Sequence, residues 1–146
     1  MTFTEEKGDL FAEEILANYA LCHCISSDFA LGAGIAKTFA KMGVKKALCE
    51  KFPKQWQGRG YCLITETNGV TVANLVTKER YFHKPTLETL RQALEDFRAQ
   101  ALKMGIKRVA MPKIGCGLDK LDWEDVREII KGVFGDTEIE LFARFL

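Results

Sequence analysis

Apolar positions between residues 86 and 104 recur at spacings of three and four: Leu87, Leu90, Leu94, Phe97 and Ala101. That period puts them on one face of a helix. Thr86 stands where its hydroxyl can cap the first turn, and Gly105 stands where the helix must end. A different pattern occupies residues 19–25 (YALCHCI), a short and mostly apolar run that suits a buried strand. Residues 60–65 and 70–77 are rich in β-branched and aromatic side chains, and Asn68-Gly69 between them is a hairpin signal. Residues 35–51 carry Ile35, Phe39 and Met42 at helical spacing, then Val44 and Leu48 after Gly43, which predicts two short helices. A strand follows at 107–111, a helix capped by Asp122 runs to about Phe134 and ends at Gly135, and a closing strand is predicted over 138–143. The second half thus alternates strand and helix, while the hairpin adds an antiparallel element. A mixed sheet with helices on both faces is the natural packing.

Composition narrows the picture without changing it. The chain has 146 residues, 47% hydrophobic and 28% charged, which predicts one globular domain over 1–146. With 21 basic and 20 acidic side chains the net charge is +1, so no global field draws the chain to nucleic acid or to an anionic membrane. An anionic ligand must be gripped locally, by backbone N–H groups and a few side chains. The five cysteines, Cys22, Cys24, Cys49, Cys62 and Cys116, form no dense framework, and no secretory signal precedes them. Reduced thiols and a soluble, cytoplasmic protein are expected, with no membrane partner.

Ligands of open α/β sheets sit beyond the carboxyl ends of the strands. Three segments leave predicted strands at such ends: residues 26–34, 78–85 and 112–119. The first, from Ser26 through Gly32-Ala33-Gly34-Ile35, leads into a helix and suits a phosphate or ribose. It is neither a dinucleotide fingerprint, because Lys37 stands at the third glycine position, nor a Walker loop. In Lys113-Ile114-Gly115-Cys116-Gly117-Leu118-Asp119, two glycines bracket one residue and can form a nest for a diphosphate. In the third, Lys78 directly follows an apolar strand, where an amine can serve as nucleophile toward a sugar carbon. Each segment read alone is equally a plain connection, and a loop lysine is usually a solvated charge. Cys116 offers a rival nucleophile, with His23 or His83 as its only histidine partners. Cys22-His23-Cys24 invites a metal reading, but neighbours on a strand face opposite ways, so a core strand is the better account.

Taken together these segments resemble a known family. Lys7-Gly8-Asp9-Leu10-Phe11, His23-Cys24-Ile25-Ser26 and Gly32-Ala33-Gly34-Ile35-Ala36 resemble the opening of macrodomains. Thr77-Lys78, His83-Lys84-Pro85-Thr86 and Met111 through Asp119 are similar to one branch, the terminal ADP-ribose protein glycohydrolases or ALC1-like macrodomains. The resemblance runs from about Glu6 to the C-terminus. It implies a three-layer α/β/α fold with a mixed central sheet and a cleft for ADP-ribose. It implies Lys78 as nucleophile and Asp119 as acid/base, with no metal and no cofactor. It places Asp9 and Leu10 near the adenine, with Leu146 as a terminal apolar contact. Ser26, Gly32, Ala33, Gly34, Ile35 and Thr77 fall on substrate positions, as do Lys113, Ile114, Gly115, Cys116, Gly117 and Leu118. The expected activity is removal of ADP-ribose from acidic side chains of a mono-ADP-ribosylated protein by a monomer, with O-acetyl-ADP-ribose as a further substrate. ADP-ribosylated DNA as substrate and a non-catalytic ADP-ribose reader are the alternatives. The ending Ala143-Arg144-Phe145-Leu146 departs from the resemblance, which expects a tyrosine near the last leucine.

Overall fold

A computed structural model describes residues 1–146. In chain order the elements are β1 (Thr2–Lys7), α1 (Glu13–Asn18), β2 (Ala20–Ser26), α2 (Ala36–Lys41), α3 (Val44–Lys51), β3 (Tyr61–Thr67), β4 (Val70–Lys78), α4 (Leu87–Met104), β5 (Arg108–Met111), α5 (Trp123–Phe134) and β6 (Glu140–Phe145). The strands form one mixed sheet of order β1-β6-β5-β2-β4-β3. Every neighbouring pair is parallel except β3 and β4, the hairpin. Its turn is made by Asn68 and Gly69, both in the left-handed region at φ 51° and 78°.

The apolar pattern sorts into two cores, one on each face of the sheet. Cys22, Leu75 and Met111 pack with Leu90, Leu94 and Phe97 of α4 and with Ile130 and Phe134 of α5. On the opposite face Leu21, Ile25, Val72 and Val76 pack with Phe29, with Phe39 of α2 and with Leu48 of α3. The architecture is therefore the three-layer α/β/α arrangement expected from the sequence. Each buried Leu or Phe side chain stabilises it by roughly 1.5–3 kcal/mol. No helix is long and apolar enough to cross a membrane.

Thr86 caps α4 as predicted, accepting from the Thr89 N–H while the Thr89 hydroxyl accepts from the Thr86 N–H. Gly43 divides α2 from α3 at φ 101°, a conformation an L side chain rarely adopts. Two boundaries differ from the sequence reading. The closing strand begins at Glu140 rather than at residue 138, because Thr137 turns back onto Phe134 with both its N–H and its hydroxyl. Lys78 is the last residue of β4 and not a loop residue.

Because β2, β4, β5 and β6 run parallel, their carboxyl ends Ser26, Lys78, Met111 and Phe145 emerge along one edge. The register of β2 on β4 shifts between Ile25 and Ser26, so that Ser26 sits opposite Lys78. This irregularity sets the first loop against the lysine.

Candidate active site at the carboxyl edge of the sheet

A cavity of about 850 Å³ opens at that edge and is lined by all three segments singled out in the sequence. From the first come Ser26, Gly32, Ala33, Gly34 and Ile35; from the second Lys113, Ile114, Gly115, Cys116, Gly117, Leu118 and Asp119; from the third Lys78. The amine of Lys78 donates to the Asp119 carboxylate at 2.5 Å. Their side chains retain only 12% and 14% exposure. An ammonium and a carboxylate this sheltered interact more strongly than a surface pair.

Two glycine-bearing loops face this pair. The N–H groups of Gly32, Ala33, Gly34 and Ile35 find no acceptor within the chain, nor do those of Gly115, Gly117 and Leu118. Unpaired N–H groups bordering a cavity provide an anion site that needs no basic field, consistent with the balanced charge. Gly115 holds φ 72°, and a Cβ there would come within 2.9 Å of the Leu121 side chain. The Leu121 N–H also donates to the Gly115 carbonyl at 2.8 Å. Glycine is favoured at this turn, which leads the chain toward Asp119.

Asp28 ties the loops together. One carboxylate oxygen accepts from the Ser26 hydroxyl at 2.5 Å and from the Ala30 N–H at 3.2 Å. The other accepts from the Tyr81 N–H at 2.9 Å. Partial burial works to raise its pKa, but these three donors, joined by the Arg80 charge, outweigh it and hold the carboxyl below its ordinary value. Ser27 adds its N–H to the Lys78 carbonyl at 3.0 Å and its hydroxyl to the Glu79 carbonyl at 2.7 Å. Lys84 closes the ring by donating to the Leu118 carbonyl at 2.7 Å. The same loop carries Phe29 at φ 54° and Leu31 at φ 42°, both buried. Two non-glycine residues in that region cost about 1–2 kcal/mol each and persist because burial and Asp28 fix the loop.

Four residues that the resemblance assigned to substrate lie outside the cavity lining. Leu10 is buried in the core with Ile15 and Phe39. Asp9 accepts from the Phe11 N–H at 2.9 Å. Thr77 is buried, and its hydroxyl has no hydrogen-bond partner. Leu146 is 98% exposed. The Gly8 N–H donates to the Phe145 carbonyl at 2.8 Å, and the Lys113 amine lies 4.1 Å from the Phe145 ring centre. The segment before Asp9 thus meets the C-terminus beside the second loop.

Asp28 lies in the first segment singled out in the sequence and Tyr81 and Lys84 in the third, but the sequence reading assigns none of them a role. Ser26-x-Asp28 was a legible sign, since an aspartate two residues after a serine at a strand end often organises a turn. For Tyr81 and Lys84 the legible part was their segment, 78–85, and nothing singled them out within it. Cys116 borders it with a thiol pushed up to about 11, chiefly by burial and further by the Asp122 carboxylate. His23 and Cys24 also border it. The His23 ring stacks on Phe39, away from the face on which Cys22 and Cys24 lie, so the three do not converge on a metal.

Comparison with known proteins follows the same lines. The sequence pattern of the Macro domain family matches residues 22–130. The ADP-ribose glycohydrolase OARD1 of Bos taurus is 43% identical over 140 residues, spanning 94% of this chain and 88% of the relative. The macrodomain of Mycobacterium tuberculosis DarG superimposes with a TM-score of 0.81 at 22% identity, over 99% of this chain and 98% of that one. Thermosipho africanus DarTG, solved in complex with ADP-ribose, gives a TM-score of 0.73 at 19% identity, over 98% of this chain and 42% of that one.

Proposed function

The chain belongs to the Macro domain family, and from that premise we propose that residues 1–146 act as one ADP-ribosyl hydrolase, releasing ADP-ribose from glutamate or aspartate esters of a modified protein. The Lys78–Asp119 pair at 2.5 Å, between two glycine-bearing loops with unpaired N–H groups, carries this reading. A relative that spans nearly the whole chain and is named a glycohydrolase supports it further.

The chemistry follows from the pair. Shifting the shared proton from Lys78 to Asp119 yields a neutral amine and a carboxylic acid side by side. The Lys78 nitrogen forms a bond to the anomeric carbon of the distal ribose. The bond from that carbon to the ester oxygen breaks, and the oxygen takes its electron pair. Asp119 returns its proton to the departing carboxylate, restoring the acidic side chain of the target. The resulting sugar–lysine adduct is then attacked by water, with Asp119 as base, and breaks down to ADP-ribose and free Lys78. Two lower barriers replace one high barrier. The N–H groups of residues 32–35 and of Gly115 and Gly117 bind the diphosphate and fix the ribose over the amine.

The deciding experiment incubates the native chain, Lys78→Ala and Asp119→Ala with a protein mono-ADP-ribosylated on glutamate. Release of ADP-ribose by the native chain is expected to fall by about 10³-fold or more in either variant, with ADP-ribose affinity held within about threefold. Normal turnover by Lys78→Ala would remove it as nucleophile. Tight binding with no turnover by the native chain would leave either a reader of ADP-ribose or an enzyme for another linkage, with ADP-ribosylated DNA as the next substrate.

A further inference from the structure

Two large aromatic side chains stand in solvent beside the cavity: Tyr81 is 65% exposed and Phe82 is 64% exposed. Tyr81 lines the cavity and lies three residues after Lys78; Phe82 does not line it. The rings meet edge to face at 5.3 Å, and Phe82 packs against His83 at 4.7 Å. Exposed aromatics grouped at a cleft mark a surface that something covers.

The segment bearing them is held in place. The Tyr81 N–H is fixed on Asp28, and the Glu79 carbonyl on the Ser27 hydroxyl. The His83 N–H donates to the Arg80 carbonyl at 3.0 Å, while the Arg80 N–H donates to His83 Nδ1 at 3.2 Å. Lys84 is anchored on Leu118, and Pro85 is buried. A lip already ordered in the free protein loses little entropy when a partner lies on it.

We infer that the Tyr81–Phe82 lip is the docking surface for the polypeptide that carries the ADP-ribose. It takes an apolar side chain next to the modified residue, while Arg80 takes a carboxylate of the same segment. The inference rests on the proposed hydrolase, since it needs the scissile bond at Lys78. With the distal ribose over that amine, the target leaves the cavity past the residues that follow Lys78. Free ADP-ribose has no use for Phe82. Arg80 is exposed and, although its charge is felt by Asp28, takes part in none of the chain's direct ion pairs, so its guanidinium can meet a further carboxylate. The geometry favours polypeptide over a nucleic-acid strand. Tyr81 and Phe82 stand at 85° to one another and offer no parallel faces for successive bases. The lip also lacks a basic stripe for a strand of phosphates: Arg80 follows Glu79, and the Lys84 amine is already committed to the Leu118 carbonyl.

The test is made in the Lys78→Ala background, so that substrates stay intact during calorimetry. The probes are free ADP-ribose, a peptide mono-ADP-ribosylated on a glutamate flanked by leucine and aspartate, and a single-stranded oligonucleotide with ADP-ribose on one base. Adding Phe82→Ala is expected to weaken the peptide about tenfold while leaving free ADP-ribose within about twofold. Arg80→Glu is expected to weaken that peptide, but not one with alanine in place of the aspartate. Equal effects on peptide and free ADP-ribose, no effect on either, or a larger loss for the oligonucleotide would each overturn the inference. Turnover by the native chain is measured separately. Its absence would remove the hydrolase reading, whereas these affinities report on the lip alone.

Discussion

Cys116 has the sequence setting of a nucleophile and the surroundings of a structural thiol. It sits between two glycines on the cavity wall, but its pKa is pushed up to about 11, and it donates its S–H to the Ile114 carbonyl at 3.3 Å. A thiol raised in this way stays protonated through the neutral range, where a thiolate enzyme needs it ionised. Cys116→Ala is therefore expected to keep turnover within about threefold, and a pH–rate profile between about pH 6 and 9 should have no limb that disappears in the variant. Loss of turnover with binding intact would restore the thiolate. Asp28 makes the opposite case. Its two oxygens serve donors from two loops, so it must remain a carboxylate. In Asp28→Asn one amide N–H is set against either the Tyr81 N–H or the Ser26 and Ala30 donors. Leaving such groups unpaired is expected to cost about 1–3 kcal/mol in urea unfolding. Turnover of the modified protein should fall further than ADP-ribose affinity, because the loop bearing Tyr81 loosens from the loop proposed to bind phosphate. An unchanged unfolding midpoint would show that Asp28 does not hold the loops together.

At the scale of elements, legibility tracked burial. Helix α4 could be read in full because its apolar stripe, cap and terminal glycine all agree, and the structure keeps each of them. The hairpin and the division at Gly43 were legible for the same reason: local chemistry and tertiary packing demand the same conformation. Strand β1 was not legible. It lies at the sheet edge with Phe3 as its one half-buried side chain, so Thr2–Lys7 carries no apolar alternation. Helix α1 is six residues long with Ile15 as its one buried residue, too short for a period to show. The site followed a similar rule. Glycines and Lys78 announced themselves at strand ends, but the convergence of three distant loops depends on a sheet order that no local pattern encodes. Thr86→Ala tests the local half of this argument. Losing the hydroxyl that accepts from Thr89 at 3.0 Å is expected to destabilise the chain by about 1 kcal/mol, read as a lower urea midpoint, without change in ADP-ribose affinity. A larger loss, or a change in affinity, would mean that the cap also sets the lip before it.

At the scale of the whole molecule, a buried histidine is expected to tie stability to pH. His23 on β2 faces Asn74 on β4, with Nε2 and the Asn74 carbonyl oxygen 2.6 Å apart. The Asn74 amide group is already turned toward Leu63, Thr65 and Val72, so its oxygen can only accept. The His23 proton therefore sits on Nε2, and Nδ1 is left buried without a partner. Burial lowers the His23 pKa from 6.5 to about 4, against the smaller opposing effect of Asn74. The direction follows from linkage. Between those two values the unfolded chain binds a proton that the folded chain does not, so stability is complete above about pH 6.5 and falls as the pH drops toward 4. At about one pKa unit per 1.4 kcal/mol, the loss by pH 4.5 is on the order of 2–3 kcal/mol. Glu5 and Asp28, whose pKa values are held down by their partners, lose their contributions only below their ordinary values of 4.5 and 3.8. The window above them is left to His23. Urea unfolding of the native chain and of His23→Gln, which still donates to Asn74 but cannot titrate, separates the two. The native chain is expected to lose about 2 kcal/mol more than the variant between pH 7 and 4.5. Parallel losses would show that His23 accepts a proton without cost, and with it that the β2–β4 pair opens to water.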